Sequence, residues 1–170
     1  MGLGDVGFNE RSGSSAWHGP KKTSNGKPSP DACIGRSCGG VTTKVHTLVD
    51  ALGNPIRFVL SAGQEADITY AKALVEKLLP KAVIADKAYD CDAFMRSLTE
   101  ATADVVIVIP PKRNRKVKRN YDKELYKDRN KIERFFNRLK NYRRIATRYD
   151  KTARNFLAFI LLASSLVLLL

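Results

Sequence analysis

Hydrophobic positions are unevenly spread along the chain. Residues 1–40 are rich in Gly, Ser, Pro and Lys and show no sustained apolar period, so the segment is expected to be irregular. Patterned sequence begins near Val41. Thr43–Val49 reads as a strand, Asp50-Ala51-Leu52-Gly53-Asn54-Pro55 as a turn, and Ile56–Ser61 as the returning strand of a hairpin. Asp67 can open a helix whose apolar positions include Ala71, Leu74, Val75 and Leu78, stopped by Pro80. Val83-Ile84-Ala85 is a short apolar run of strand type ending at Asp86, and a helix over Cys91–Thr99 follows. Asp104–Ile109 is β-branched, reads as a buried strand and is closed by Pro110-Pro111. A long helix is expected over Lys123–Asn141 and a final apolar helix over Thr152–Leu170. Strands first, then alternating helix and strand, then helices give an α/β class with a mixed sheet, antiparallel at the hairpin and parallel after it.

On a helical wheel at about 100° per residue, Leu125, Ile132, Phe136 and Leu139 form an apolar stripe, and Tyr126, Arg129, Glu133 and Lys140 share a polar stripe roughly 60° wide beside it. A carboxylate at the edge of a buried face, flanked by basic groups, is costly unless it has a task. On periodicity alone, ordinary surface ion pairing of Arg129 with Glu133 explains the stripe first.

The 170 residues suit one domain with a real core, and a 44% hydrophobic fraction argues against wholesale disorder. The net charge of +13 points to a polyanion, nucleic acid before an anionic membrane. Six of the eight residues Lys112–Arg119 are Lys or Arg, which reads as a solvated basic loop. Cys33, Cys38 and Cys91 are odd in number and lack four-ligand zinc spacing, so incidental thiols in a reducing cytoplasm are expected. Met1–Glu10 has neither a basic start nor an apolar run, so no signal peptide is read there. The apolar tail Phe156–Leu170 is short for a bilayer core of about 30 Å and reads as a core helix, with a tail anchor as the alternative.

The spacing Tyr126-x2-Arg129-x3-Glu133-x6-Lys140 resembles the Tyr-Arg-Glu-Lys signature of DDE transposases of bacterial insertion sequences. The flanking Lys127–Lys140 and Arg143–Phe156 resemble the insertion sequence five group. Ile84-Ala85-Asp86-Lys87-Ala88-Tyr89-Asp90 is similar to that family's second-aspartate segment, and Gly39–His46 with Ala51–Pro55 resembles its central hairpin. The resemblance runs from about Lys21 to the end and implies a ribonuclease-H-like fold, with residues 41–170 as a partial catalytic domain. It implies Asp86 and Glu133 as catalytic acids and metal ligands. With a third carboxylate they would hold two Mg²⁺ (or Mn²⁺) ions for in-line phosphoryl transfer. Tyr126, Arg129 and Lys140 would hold phosphates near the scissile bond. Lys112 and Arg113 of the basic loop, and Arg138, Lys140, Arg143, Arg144 and Arg148, would track the DNA backbone. The implied partner is double-stranded DNA, transposon ends and target, with a homodimer as a candidate assembly, in the bacterial cytoplasm and not in a membrane.

The family's first aspartate, in a motif of type Asp-Ser-Thr-x-x-Arg-x-His, has no counterpart here, nor does its N-terminal DNA-binding domain. The first core strand is therefore expected to be missing or degraded, and the chain to be inactive or impaired, with a non-catalytic DNA-binding remnant as the alternative. Asp5, Asp31 and Asp50 are poor substitutes. Back-translated with permitted codons and read one base later, Gly7–His18 yields Asp-Ser-Thr-Ser-Val-Arg-Ala-His-Gln-His-Gly. The expectation is that residues 1 to about 19 are a frameshifted reading of that strand.

Overall fold

A computed structural model describes residues 1–10, 32–37 and 40–169. Asp31, His18 and the frameshift segment beyond Glu10 lie outside the described residues. The strands are β1 Gly2–Glu10, β2 Gly35–Ser37, β3 Gly40–Val49, β4 Pro55–Ala62, β5 Ala82–Ala85, β6 Val106–Val108 and β7 Thr147–Arg148. The α-helices are α1 Ile68–Val75, α2 Asp92–Ala101, α3 Lys123–Tyr126, α4 Asn130–Lys140, α5 Arg143–Ala146 and α6 Ala153–Leu169. The result is a mixed sheet flanked by helices, as the pattern of apolar runs predicts.

The chain divides into two compact units. One comprises Met1–Asp5, His46–Val59 and Ala66–Phe135; the other comprises Val6–Val45, Leu60–Glu65 and Phe136–Leu170.

In the first unit β1, β5 and β6 run parallel, with Gly2 beside Ile84, Leu3 beside Ala85, and Val83 beside Ile107. Leu3, Leu48, Leu74, Val83, Ala85 and Phe94 form its buried cluster. Each of the larger side chains among them contributes about 1.5–3 kcal/mol of burial. The hairpin turn is held by Asp50, whose Oδ1 accepts from the backbone N–H groups of Leu52 (2.8 Å) and Asn54 (2.9 Å). Gly53 takes φ +95°, the left-handed region that a side chain would strain. α1 ends at Val75, five residues before Pro80, because Glu76 is already extended (φ −55°, ψ 133°) and Lys77 has φ 62°. Asp67 does open α1, but with helical angles and no side-chain capping bond.

In the second unit β2 pairs antiparallel with β3 through Gly35–Thr42 and Ser37–Gly40, and β1 pairs parallel with β7 through Asn9–Thr147. α6 buries Phe156, Ile160, Ala163 and Val167 on one face. This is the core-helix reading of the tail, and no described helix is long and apolar enough to cross a membrane.

Two expectations need correction. Among the described residues of 1–40 there are two strands, β1 and β2, and β1 runs alongside β5. Gly-rich sequence gives no apolar alternation to read, yet parallel pairing uses only backbone groups, which β5 supplies. The long helix is also not uniform: a 3-10 turn at Lys127–Arg129 separates α3 from α4.

Candidate functional site

The site is assembled where β5 ends. The strand stops at Ala85, and Asp86 (φ −68°, ψ 163°) starts a 3-10 turn over Lys87–Tyr89. The carboxylate of Asp86 therefore stands at the carboxyl end of a parallel strand, where the sheet leaves polar groups exposed to ligands. Its side chain is 42% exposed.

The helical run α3–α4 brings the other groups. Asp122 starts it, its Oδ1 accepting from the N–H groups of Glu124 (2.9 Å) and Leu125 (3.0 Å). Ile132, Phe135, Phe136 and Leu139 are buried, while Leu125 and Tyr126 are half-buried. This places the apolar stripe inward, with Phe135 added to the residues that the wheel assigns to it. Glu133 stays half-exposed at the edge of that stripe.

Arg129 joins the two carboxylates. Its Nη2 lies 2.8 Å from Glu133 Oε1, and its Nη1 lies 3.9 Å from Asp86 Oδ2. The guanidinium also sits over the Tyr126 ring, 5.5 Å from its centroid. Burial pushes the Tyr126 phenol above its ordinary value; Arg129 pulls the other way and the Asp86 charge adds to the rise. Tyr126 is thus a neutral hydroxyl at physiological pH, able to donate to an anionic oxygen.

Gly4 follows Leu3, the β1 residue that pairs with Ala85, as Asp86 follows Ala85 on the other strand. A Cβ there would come within 2.9 Å of Ile132 Cδ1, so the α4 side chain fills the space and no carboxylate enters from that position. Among the described residues no group of three or more His, Cys, Asp or Glu side chains could hold a metal ion. Two carboxylates on one guanidinium suit a single hard cation completed by water, and they do not suffice for a pair of ions.

Asp86, Tyr126, Arg129 and Glu133 are thus brought together in the first unit. Lys112 and Arg113 lie in the same unit, on the loop after β6, Arg113 exposed and Lys112 half-buried. Lys140, Arg143 and Arg144 belong to the second unit and are exposed. Arg144 stacks on Phe159, 4.3 Å from its centroid, and lies 3.8 Å from Asp150.

Arg148 departs from its expected place on the DNA-tracking surface. It is 1% exposed, donates to Asp150 O at 2.9 Å and to Thr43 Oγ1, and covers the Phe156 ring. A guanidinium so enclosed is structural.

From the sequence, Asp90 reads only as a residue at the start of the helix after Asp86, and its buried, paired role is not anticipated. Its side chain is 1% exposed, and it accepts from the Lys112 N–H at 2.8 Å. The signal available was a second carboxylate four residues after Asp86, opposite a basic loop.

Known proteins resemble this chain in sequence. Residues 14–168 match the model of the transposase DDE domain family. A protein of Brucella ovis (strain ATCC 25840 / 63/290 / NCTC 10512), whose name ascribes to it the transposase role for insertion sequence element IS6501, is 43% identical over 131 residues. The aligned region covers 75% of this chain and 98% of that protein. No solved structure matches the chain. The family match over residues 14–168 and the 43% identity to the Brucella ovis protein show that the chain belongs to the transposase DDE domain family.

Proposed function

We propose that Asp86 and Glu133 are the acids of a DNA strand-cleavage and strand-transfer site, and that Tyr126 and Arg129 hold a DNA phosphate beside them. One observation carries this reading: a single guanidinium contacts both acids, so strand end and helix converge on one point. Transposases of this family generally use divalent metal ions, and the proposed ligands here are Asp86 and Glu133, taking Mg²⁺ or Mn²⁺. When bound, such an ion polarises a phosphoryl oxygen and lowers the pKa of water.

Arg129 offers a planar fork that fits two phosphate oxygens, so DNA would draw it from the acids. Tyr126 donates its hydroxyl to the same group. Lys112 and Arg113 in one unit, and Lys140, Arg143 and Arg144 in the other, hold backbone phosphates by charge. The partner is double-stranded DNA, as transposon ends and target.

A second reading, a DNA-binding chain with impaired chemistry, is favoured by Gly4, packed against Ile132 just past the Leu3–Ala85 pair, and by the lack of a third ligand among the described residues. Both readings share the binding step. Mn²⁺ titration followed by electron paramagnetic resonance tests the acids apart from turnover. The wild type binds about one ion, and Asp86→Asn and Glu133→Gln each weaken it by at least the roughly 10–100-fold that loss of a mere outer-shell partner costs. Unchanged Mn²⁺ binding in both variants removes the assignment.

A further inference from the structure

The basic loop is not uniformly free. Of its six cations, Arg115 and Arg119 turn back onto α2 and the turn before it. Arg115 Nη1 lies 3.4 Å and Arg119 Nη1 3.5 Å from Asp90 Oδ1. Both guanidiniums also pair with Asp92, and Arg119 reaches Met95 Sδ. Asp90 Oδ2 takes the Lys112 N–H at 2.8 Å, which fixes the start of the loop as well. The side chains of Arg115 and Arg119 are 18% and 34% exposed, whereas Arg113, Lys116 and Lys118 are exposed outright.

The asymmetry follows from the cost of burial. A carboxylate 1% exposed is strongly unfavourable without partners. Two guanidiniums and an amide offset that cost, so Arg115 and Arg119 cannot leave for a DNA phosphate without stranding Asp90. Arg113, Lys116 and Lys118 have no such obligation in the clasp.

We propose that Asp90, with Asp92, withholds Arg115 and Arg119 from the duplex, so that of the clustered loop cations Arg113, Lys116 and Lys118 are the ones left to meet backbone phosphates. This rests on the proposed role of the loop in contacting DNA. Asp90 follows Asp86 by four residues, through the single 3-10 turn, so the clasp ties the phosphate-binding loop to the strand end that bears the acid.

Salt dependence of binding separates the two sets of cations, because each phosphate contact contributes about 0.9 to the slope of log K against log salt. The measurement uses the full chain and a duplex of random sequence. Arg113→Ala/Lys116→Ala/Lys118→Ala is expected to flatten the slope by roughly 2.7. A neutral clasp, Asp90→Asn/Asp92→Asn/Arg115→Gln/Arg119→Gln, deletes two loop cations yet should leave the slope unchanged. Asp90→Asn/Asp92→Asn, which frees both guanidiniums, should steepen it by up to about 1.8, an effect that mere loss of structure would not produce. A neutral clasp that flattens the slope by about 1.8 overturns the inference while leaving the loop as a DNA contact. An unchanged slope in the exposed triple variant overturns the loop reading and the inference together. Should the clasp variants fail to fold, Arg119→Gln alone decides: an unchanged slope supports the inference, and a fall of about 0.9 overturns it.

Discussion

Arg129 and Glu133 face each other one helical turn apart, with Nη2 2.8 Å from Oε1. In a surface helix this is an ordinary i, i+4 pair worth about 0.3–0.5 kcal/mol. Here the same guanidinium lies 3.9 Å from Asp86, a residue from another element, and over the Tyr126 ring. The pair is thus one side of a four-residue group, and its weight should appear in binding more than in stability.

Arg129→Gln should accordingly lower the unfolding free energy by no more than about 0.5 kcal/mol, since its partners are partly exposed. DNA affinity should fall by about tenfold, with a shallower salt slope. Chemical denaturation and a binding titration on one preparation check both values. A large loss of stability with unchanged binding would return Arg129 to a structural role.

Asp50 should govern the hairpin between β3 and β4. Burial works to raise its pKa, but hydrogen bonds from Asn54, Leu52 and Gly53 outweigh it and hold the carboxyl below its ordinary value of 3.8. A carboxyl depressed on folding stabilises the protein above its unfolded pKa, and that contribution is lost as pH falls through the folded value. Asp50→Ala should cost about 1 kcal/mol at neutral pH, and the difference from wild type should shrink below about pH 4. Urea melts across that range measure the convergence.

Arg148→Met should leave the salt slope of DNA binding unchanged and still destabilise the fold. The guanidinium is 1% exposed and donates to Thr43 and Asp150, so removing it leaves one buried and one partly buried acceptor to find new partners. A loss of about 1–3 kcal/mol is expected in thermal or denaturant unfolding. A flatter salt slope at normal stability would put Arg148 back on the DNA surface.

Much of the site was readable from local pattern. Val83-Ile84-Ala85 is apolar and β-branched, so β5 and its terminal Asp86 could be placed, and the 3.6-residue period placed Glu133 at the edge of the α4 core face. What escaped depended on distance along the chain. Asp90 and Lys112 are 22 residues apart, and Arg148 and Thr43 are 105 apart, so no local pattern marks their contact. The basic loop shows six charges, and only the fold reveals that two are committed to Asp90 and Asp92. β1 was missed for a different reason: its backbone pairs with β5 while its Gly-rich sequence shows no alternation to read.

The most direct test of the central claim is divalent-metal-dependent strand cleavage of a transposon-end duplex. The assay compares the present chain, a chain with the alternative reading frame restored across Gly7–His18, and the restored chain carrying Glu133→Ala. The restored chain is expected to cut, the present chain to cut little or not at all, and Glu133→Ala to abolish cutting. Cleavage that persists in the restored chain with Glu133→Ala would contradict the claim.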